Sequence, residues 1–245
     1  MLKLFFQNLP PYLKKIIRNW IFVYKHPKLL EARKQYIYAD EKLKFVHLLE
    51  CLNYLKVAGH NNRLPPVYYE FGCHSGRTFS AAVNAANYVG LEKAVFYAFD
   101  SFEGLPETID IDDGIFKRGE YSTSLKEFKR IVKKNTGLVL KDENIVKGFY
   151  SDSLSNDLQS SLPKPGIIHI DVDLYSSAKQ VLEFVKPLIL VGTILIFDDW
   201  FCFPAGESKG ERLALEEFLL ENDNFRVEEW KNYSTFGKSF FVTSI

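Results

Sequence analysis

The hydrophobic positions of the chain change their spacing near residue 60. Before it, the segments YLKKIIRNWIFVYKH and EKLKFVHLLECLNYLKVA mix basic residues with apolar residues at helical spacing, which predicts helices over residues 1 to about 58. In the second segment the spacing is carried by Leu43, Val46, Leu49, Leu52 and Leu55. The sequence GHNNRLPP then interrupts the pattern. We therefore predict a helical extension, residues 1–60, and a second domain, residues 61–245.

After this break, short apolar runs alternate with amphipathic stretches. The apolar runs predict strands at 67–72, 95–100, 144–149, 166–171 and 193–198. The amphipathic stretches predict helices near 77–89, 124–134, 176–187 and 210–221. The first strands are almost continuously apolar, as in parallel sheets covered on both faces, whereas FRVEEWKNY and KSFFVTS are typical of two antiparallel strands. The predicted fold class is α/β: a doubly wound, mostly parallel, seven-stranded Rossmann-like sheet with an antiparallel C-terminal hairpin.

The charge of the chain is balanced overall but unevenly distributed. The formal net charge of zero argues against a general nucleic-acid-binding protein. Residues 1–36 contain eight Lys or Arg and one acid, a net charge of +7, which leaves −7 for the remainder. Residues 1 to about 40 are predicted to form amphipathic helices that dock on a partner subunit or on an anionic membrane surface, and a homo-oligomer is one option. The alternative is a solvated basic helix packed on its own domain.

The three cysteines, Cys51, Cys73 and Cys202, are far apart and show neither a disulfide framework nor zinc-ligand spacing. This usage fits a reducing compartment. No run reaches the roughly 18 apolar residues of a membrane span, and MLKLFF lacks the apolar continuation of a signal peptide. The sequence therefore predicts a cytoplasmic protein, with peripheral contact at the inner membrane face as an option for the basic N-terminus.

Acidic residues recur where the predicted strands end. The five strands run into EFGCHSGRTFS, FDSFEGLP, GFYSDSL, IDVDLYSS and FDDWF. Ligands of open α/β sheets bind outside the carboxyl ends of the strands, so these acids are expected to converge on one crevice that suits a hard divalent cation. For the adjacent Asp198 and Asp199 the alternative is a turn or a helix cap. Because the two are like charges, Asp198→Asn is expected to leave the metal-free fold unharmed or to stabilise it.

The end of the first strand resembles a nucleoside-binding turn. Glu70, Gly72 and Gly76 precede a helix, and glycines there let a ligand approach backbone amides. His74 occupies the position where the dinucleotide fingerprint requires glycine, which argues against a dehydrogenase, and is itself a candidate for contacting the cofactor. The alternative is a tight strand–helix turn without a ligand.

The ends of the next two strands supply further candidates for the nucleoside. Asp100, followed by Ser101, ends the second strand and is expected to accept hydrogen bonds from the ribose hydroxyls. A simple helix cap is the alternative for Asp100. Asp152, after the third strand, is predicted on the adenine side.

The strand-end motifs, in this order and spacing, resemble the macrocin O-methyltransferase family, the sugar methyltransferases of the TylF and MycF type, over residues 65 to about 220. DSFEGLP and the pair IDVDLY and DDW are the most specific parts. The resemblance implies a class I methyltransferase that uses S-adenosylmethionine and Mg²⁺ to methylate a sugar hydroxyl. It also implies that the metal ligands are Asp171, Asp198 and Asp199. The N-terminal helices and the stretch after Asp199 do not match the family's pattern.

The acceptor is the difficult partner in such a transfer, because an alkyl hydroxyl is a poor nucleophile at neutral pH. Mg²⁺ prefers six oxygen ligands, so three carboxylates leave room for two neighbouring substrate hydroxyls and a water, which predicts a vicinal diol in a small-molecule or glycan acceptor. Asp171 is the predicted base. The more distantly similar catechol-type enzymes place a lysine base where this chain has Leu174. Asp173 is interpreted as a helix cap, with a direct role as the alternative, and His169 as a core residue.

Residues 101–123 form a long link with little periodicity, which predicts a lid that excludes water and contacts the acceptor. Its acids are otherwise expected to be solvated: Glu103, Glu107, Asp110, Asp112 and Asp113. Two other functions stay open, namely a nucleotide-sugar dehydrogenase or epimerase on a similar sheet and a non-catalytic subunit that kept the fold. The missing glycine fingerprint argues against the first and the retained aspartates against the second.

Overall fold

The computed structural model describes residues 27–59, 64–112, 116–204 and 209–245. The chain divides into two compact units, residues 1–42 and 43–245. The predicted domain boundary at residue 60 stays a prediction. The helices of the described residues are α1 (Pro27–Gly59), α2 (Arg77–Val89), α3 (Leu125–Thr136), α4 (Tyr150–Ser153), α5 (Asn156–Ser161), α6 (Tyr175–Val185) and α7 (Gly210–Glu221). The strands are β1 (Val67–Phe71), β2 (Val95–Asp100), β3 (Ile145–Lys147), β4 (Ile167–Ile170), β5 (Ile194–Phe197), β6 (Arg226–Asn232) and β7 (Lys238–Ser244).

The seven strands form one sheet in the order β3-β2-β1-β4-β5-β7-β6. β1 to β5 are parallel, and β7 runs antiparallel to both β5 and β6. This confirms the predicted doubly wound sheet with an antiparallel hairpin. The strand order reverses between β1 and β4, whose register pairs Glu70 with His169. The carboxyl ends of β1 and β4 therefore flank the crevice where ligands bind in such sheets.

Alternate strand residues feed two hydrophobic cores, one on each face of the sheet. Phe71, Ile170 and Phe197 pack with α6 and α7. Tyr68, Ile167 and Ile196 pack with α1, α2 and α3. Since both faces are covered, the strands are apolar on both sides, as their sequence indicated.

The helix predicted up to about residue 58 is present as α1, and part of its leucine pattern is buried. The buried side chains are Leu48, Cys51, Leu52 and Leu55. Leu43 and Val46, which contribute to the predicted helical spacing, are 52% and 50% exposed. One turn before Leu48 and Cys51, the side of α1 that faces the sheet carries the polar residues Lys44 and His47. The sheet ends there in acidic residues, and Lys44 lines the cavity with them.

The prediction for the basic N-terminus covers residues 1 to about 40, of which residues 1–26 lie outside the described residues. Docking of this segment on a subunit or membrane, and the cytoplasmic location, stay predictions. In the part of the chain that the structure describes, no helix combines the length and apolar character needed to cross a bilayer. Cys51 and Cys73 are buried free thiols, and Cys202 is a partly exposed one.

Candidate active site

A cavity of about 330 Å³ opens at the carboxyl ends of the parallel strands. The residues after β1, β2 and β3 line one half, called the nucleoside half. Those after β4 and β5 line the other half, called the acidic half. Among the predicted site residues, its wall includes Gly72, His74, Asp100, Ser101, Asp171, Asp198 and Asp199. The structure therefore brings most of the predicted nucleoside-binding and acidic residues to one cavity.

Gly72 fixes the distance between the two halves. Its φ is +83°, in the left-handed region, and an added Cβ would lie 1.7 Å from the carbonyl oxygen of Asp171. Only glycine lets the backbone after β1 approach β4 this closely. The Asp171 amide, in turn, donates to the Phe71 carbonyl at 2.9 Å. The turn after β1 thus lies directly against the predicted metal ligand and base.

Asp100 holds the turns around the nucleoside half with both carboxylate oxygens. Oδ2 accepts the His74 amide at 2.8 Å, and Oδ1 accepts the Phe102 amide at 2.6 Å. Burial raises the pKa of Asp100, although these amides favour the ionised form. Each oxygen retains a second lone pair for a ligand hydroxyl. The predicted role at the ribose is compatible with this geometry, and Asp100 also orders the loops around the ligand.

Asp100→Ala is expected to weaken binding of both S-adenosylmethionine and S-adenosylhomocysteine. The loss should be roughly 2–3 kcal/mol, on the order of a hundredfold in Kd, because charge-assisted hydrogen bonds and the order of two turns are lost. Titration calorimetry with either ligand measures it. Asp157→Ala is the matched control, since Asp157 is exposed and outside the cavity wall. Equal affinities for wild type and Asp100→Ala would remove the ribose assignment.

Three predicted nucleoside residues do not reach the cavity wall: Glu70, Gly76 and Asp152. Gly76 begins α2, and its missing side chain leaves room for Phe128. The backbone after β3 reaches the cavity through Gly148, Phe149, Tyr150 and Ser151, while the Asp152 side chain points to solvent. A direct cofactor contact by these three residues stays a prediction that the wall of the cavity does not support.

Glu70 belongs to a buried polar chain beneath the site. Its Oε2 accepts a hydrogen bond from the Tyr68 hydroxyl, whose oxygen lies 2.8 Å from Nδ1 of His169. The His169 Nε2 lies 3.7 Å from Oδ1 of Asp198, beyond hydrogen-bond length. His169 is 1% exposed, which agrees with the core interpretation. Burial raises the pKa of Glu70 to about 8, and the charges of Asp198 and Asp100 add to the rise.

The raised pKa of Glu70 predicts that the free energy of unfolding depends on pH. Glu70→Gln should remove this contribution to the pH dependence. Below the ordinary pKa of 4.5 the carboxyl is protonated in both states, and above it only the folded state retains the proton. Stability is therefore lost as pH rises toward and through 8. Glu70→Gln keeps an acceptor for Tyr68 without a charge, so its stability relative to wild type should increase by roughly 2–4 kcal/mol between pH 5 and 8. Urea unfolding at several pH values measures the difference; a pH-independent difference contradicts the shift.

Four aspartates gather in the acidic half: Asp171, Asp173, Asp198 and Asp199. Burial and the charges of Asp198 and Asp199 raise the pKa of Asp171 well above its usual value. Burial and the charge of Asp173 raise the pKa of Asp199 in the same way. Repulsion between close carboxylates has this effect, so the cavity disfavours full ionisation of the cluster without an added cation.

Asp198 differs from its neighbours because it has favourable partners. Lys44 Nζ forms an ion pair with Oδ2, and the Tyr233 hydroxyl donates to Oδ1 at 2.7 Å. Burial opposes ionisation, but His169 and Lys44 together bring the pKa of Asp198 below its ordinary value. The sequence did not predict these partners, because Lys44 and Tyr233 are more than 30 positions away on α1 and after β6.

Glu211 positions the two aspartate-bearing turns. It is fully buried at the start of α7; its Oε1 accepts the Val172 amide and its Oε2 the Asp199 amide, both at 3.0 Å. One carboxylate therefore joins the turn after β4 to the turn after β5. Glu211 was not among the candidates predicted from the sequence, because it lies beyond the strand-end motifs.

The structure corrects the interpretation of Asp173 as a helix cap. The N-cap of α6 is Leu174, and the capping carboxylate comes from Asp112 in the predicted lid. Asp112 Oδ1 accepts the Tyr175 amide at 2.7 Å, and Oδ2 accepts the Ser176 hydroxyl at 2.9 Å. Asp112 is fully buried, so the expectation that it is solvated is wrong. Asp173 is free to face the cavity, where burial and Asp171 raise its pKa to about 7.

The predicted lid contributes one side of the cavity. Its described residues on the wall are Ser101, Gly104, Leu105, Pro106 and Tyr121. The Leu105 amide donates to the Glu120 carbonyl at 3.0 Å, which joins the two arms of the loop. Tyr121 adopts a left-handed φ of 59° and places its ring 5.7 Å from that of His74, edge to face. An aromatic side chain therefore stands between the two halves.

Comparison with known proteins decides the family. A scan of protein-family models matches the macrocin-O-methyltransferase (TylF) family over residues 50–222. The chain belongs to this family. The match confirms the resemblance of the strand-end motifs and the predicted class of enzyme, an S-adenosylmethionine-dependent O-methyltransferase. A search of curated sequences found no significant match.

Solved structures share the macrocin-O-methyltransferase fold. The O-methyltransferase NovP superposes with a TM-score of 0.65 at 18% identity, over 82% of this chain and 80% of NovP. The calicheamicin methyltransferase CalS11 superposes with a TM-score of 0.61 at 17% identity, over 98% of this chain and 89% of CalS11. The O-methyltransferase TomG from Streptomyces achromogenes, solved with S-adenosylmethionine (SAM), superposes with a TM-score of 0.51 at 11% identity, over 83% of this chain and 80% of TomG. At these identities the comparisons show the fold alone.

Proposed function

We propose that this family member transfers the methyl group of S-adenosylmethionine to a hydroxyl of a sugar or glycosylated small molecule, with Mg²⁺ as a cofactor. The observation that carries the proposal is the single cavity in which Gly72 and Asp100 face the aspartates after β4 and β5. A donor held by the first half would lie beside the aspartates of the second half, in the same cavity. CalS11, whose fold this chain shares, is described as a TDP-rhamnose 3'-O-methyltransferase, which supports a sugar acceptor.

The donor set of the acidic half fits a hard divalent cation. Asp171, Asp198 and Asp199 offer carboxylate oxygens, the ligands that Mg²⁺ prefers, and all three line the cavity. The raised pKa values of Asp171 and Asp199 arise in part from mutual repulsion, which a cation would relieve. Among the described residues, however, no group of three or more potential ligands is already arranged around one point. Binding would therefore require the side chains to rearrange, starting with Lys44 on Asp198.

Asp171 is the residue best placed to act as the base. It lies against the Gly72 turn, where the two halves of the cavity meet. In the proposed transfer, the acceptor hydroxyl gives its proton to the Asp171 carboxylate as its oxygen bonds to the methyl carbon. The carbon–sulfur bond breaks, and S-adenosylhomocysteine leaves.

A bound Mg²⁺ would favour the ionised form of a hydroxyl beside it and orient a neighbouring one, which is the basis for proposing a vicinal diol. The lid residues Leu105, Pro106 and Tyr121 would exclude water and contact the sugar ring. These roles are consistent with a small-molecule or glycan acceptor.

The proposed function is tested by incubating the protein with isotope-labelled S-adenosylmethionine, MgCl₂ and a panel of nucleoside diphosphate sugars, methyl glycosides and catechol. Mass spectrometry should show one added methyl group on a sugar that has adjacent hydroxyls and none on its deoxy analogue. Calorimetry should show binding of S-adenosylmethionine but not of NAD. Binding of NAD alone, or methylation of catechol alone, would overturn the proposal.

A further inference from the structure

Lys44 brings a positive charge from α1 into the acidic half of the cavity. It is the only lysine or arginine among the described residues that line the cavity, and its Nζ pairs with Oδ2 of Asp198. The side chains of Lys44 and Asp198 are 25% and 7% exposed. Water therefore screens this pair less than it screens a surface ion pair.

The same helix supports the other oxygen of Asp198. Tyr233 donates to Oδ1, and its ring is stacked on that of His47, with centroids 4.4 Å apart and an interplanar angle of 12°. His47 lies one turn after Lys44, on the same face of α1. Both oxygens of Asp198 are thus held by groups that depend on α1, directly or through one stacked ring.

We propose that Lys44 is an internal counter-ion that competes with the divalent cation for Asp198 and so limits how tightly the site binds metal. A cation held by Asp171, Asp198 and Asp199 would lie within a few ångströms of the ammonium. Like charges at that distance in a partly buried site repel strongly, so metal binding requires Lys44 to move away. This inference rests on the metal part of the proposed function.

The competition predicts opposite effects of Lys44 in the two states. Without metal, Lys44 neutralises a buried carboxylate, and its removal leaves that charge unpaired, which destabilises the fold. With metal, the cation neutralises Asp198, and removal of Lys44 relieves a repulsion. A lysine with a purely structural role would affect the stability of both states in the same direction.

The test compares full-length wild type with Lys44→Met, Lys44→Arg and Lys231→Met, each freed of metal by chelation. Lys44→Met retains the length of the side chain without its charge, and Lys44→Arg retains the charge. Lys231→Met is the matched control, because Lys231 pairs with Glu50 away from the cavity. Titration calorimetry with MnCl₂, without acceptor, measures metal affinity; thermal unfolding in chelator and in saturating MnCl₂ measures stability.

Lys44→Met should bind Mn²⁺ roughly tenfold or more tighter than wild type, as expected for removing a nearby like charge, whereas Lys44→Arg and Lys231→Met should not. In chelator, Lys44→Met should unfold at a lower temperature than wild type. The rise in its unfolding temperature on adding Mn²⁺ should be larger than that of wild type. Equal or weaker Mn²⁺ binding by Lys44→Met, with activity still sensitive to chelator, overturns this inference alone. If no variant binds Mn²⁺ and methyl transfer persists in chelator, the inference and the metal part of the proposed function both fall.

Discussion

Asp171→Asn is expected to reduce kcat by roughly a hundredfold to ten-thousandfold, the range associated with loss of a general base, while S-adenosylhomocysteine still binds. The amide cannot accept the proton of the acceptor hydroxyl at neutral pH. The fold should tolerate the change, because Asp171 is a recessed carboxyl whose ionisation its neighbours Asp198 and Asp199 disfavour. Steady-state kinetics with saturating donor measures kcat, and titration calorimetry measures donor binding.

Asp173→Asn is the matched comparison for this variant. Asp173 lines the same cavity two positions later, and burial and the charge of Asp171 raise its pKa to about 7. If Asp171 acts as the base or as a metal ligand, the loss of kcat should be much larger at Asp171 than at Asp173, and a loss that saturating Mg²⁺ does not restore would favour the base role. The reverse order would transfer the role of the base to Asp173, and equal, small losses would leave neither as the base.

The fold could be predicted from the sequence because its signals are local. The apolar runs gave β1, β2, β4 and β5 to within a residue at each end, and α2 and α7 at their observed bounds. In parallel sheets covered on both faces, the hydrophobic pattern and the secondary structure have the same cause, which is burial. The gathering of acidic residues in one cavity could be predicted as well, because the carboxyl ends of parallel strands lie at the same edge of the sheet.

The parts of the site that the sequence did not reveal depend on distant contacts. Three side chains each bind a strand-end turn or a helix terminus that lies between 12 and 154 positions away along the chain: Lys44, Asp112 and Glu211. Their own neighbourhoods resemble ordinary solvated helix or loop, so no periodicity indicates their role. The polar residues of α1 likewise face carboxylates in the folded protein, which their spacing along the helix does not indicate.

Asp198→Asn and Asp199→Asn should both lose Mg²⁺-dependent methyl transfer, by roughly a hundredfold or more, if both carboxylates bind the metal. An amide has no net charge and only one oxygen to offer. If the pair served only as a turn or cap, asparagine would replace aspartate with little loss, since it caps nearly as well. Methyl transfer by either variant at the wild-type rate in chelator would contradict the metal hypothesis.

The two variants should differ in their effect on the metal-free fold. The structure reverses the expectation that losing one of two adjacent charges at Asp198 is harmless, because His169 and Lys44 stabilise its ionised form and lower its pKa. A lowered pKa contributes stability above the ordinary pKa, so Asp198→Asn should destabilise the protein at pH 7 by roughly 1–3 kcal/mol. Asp199 has a raised pKa, so its charge is costly at pH 7 and Asp199→Asn should stabilise the metal-free fold. Urea unfolding in chelator measures both; stabilisation by Asp198→Asn would show that Lys44 does not compensate its charge.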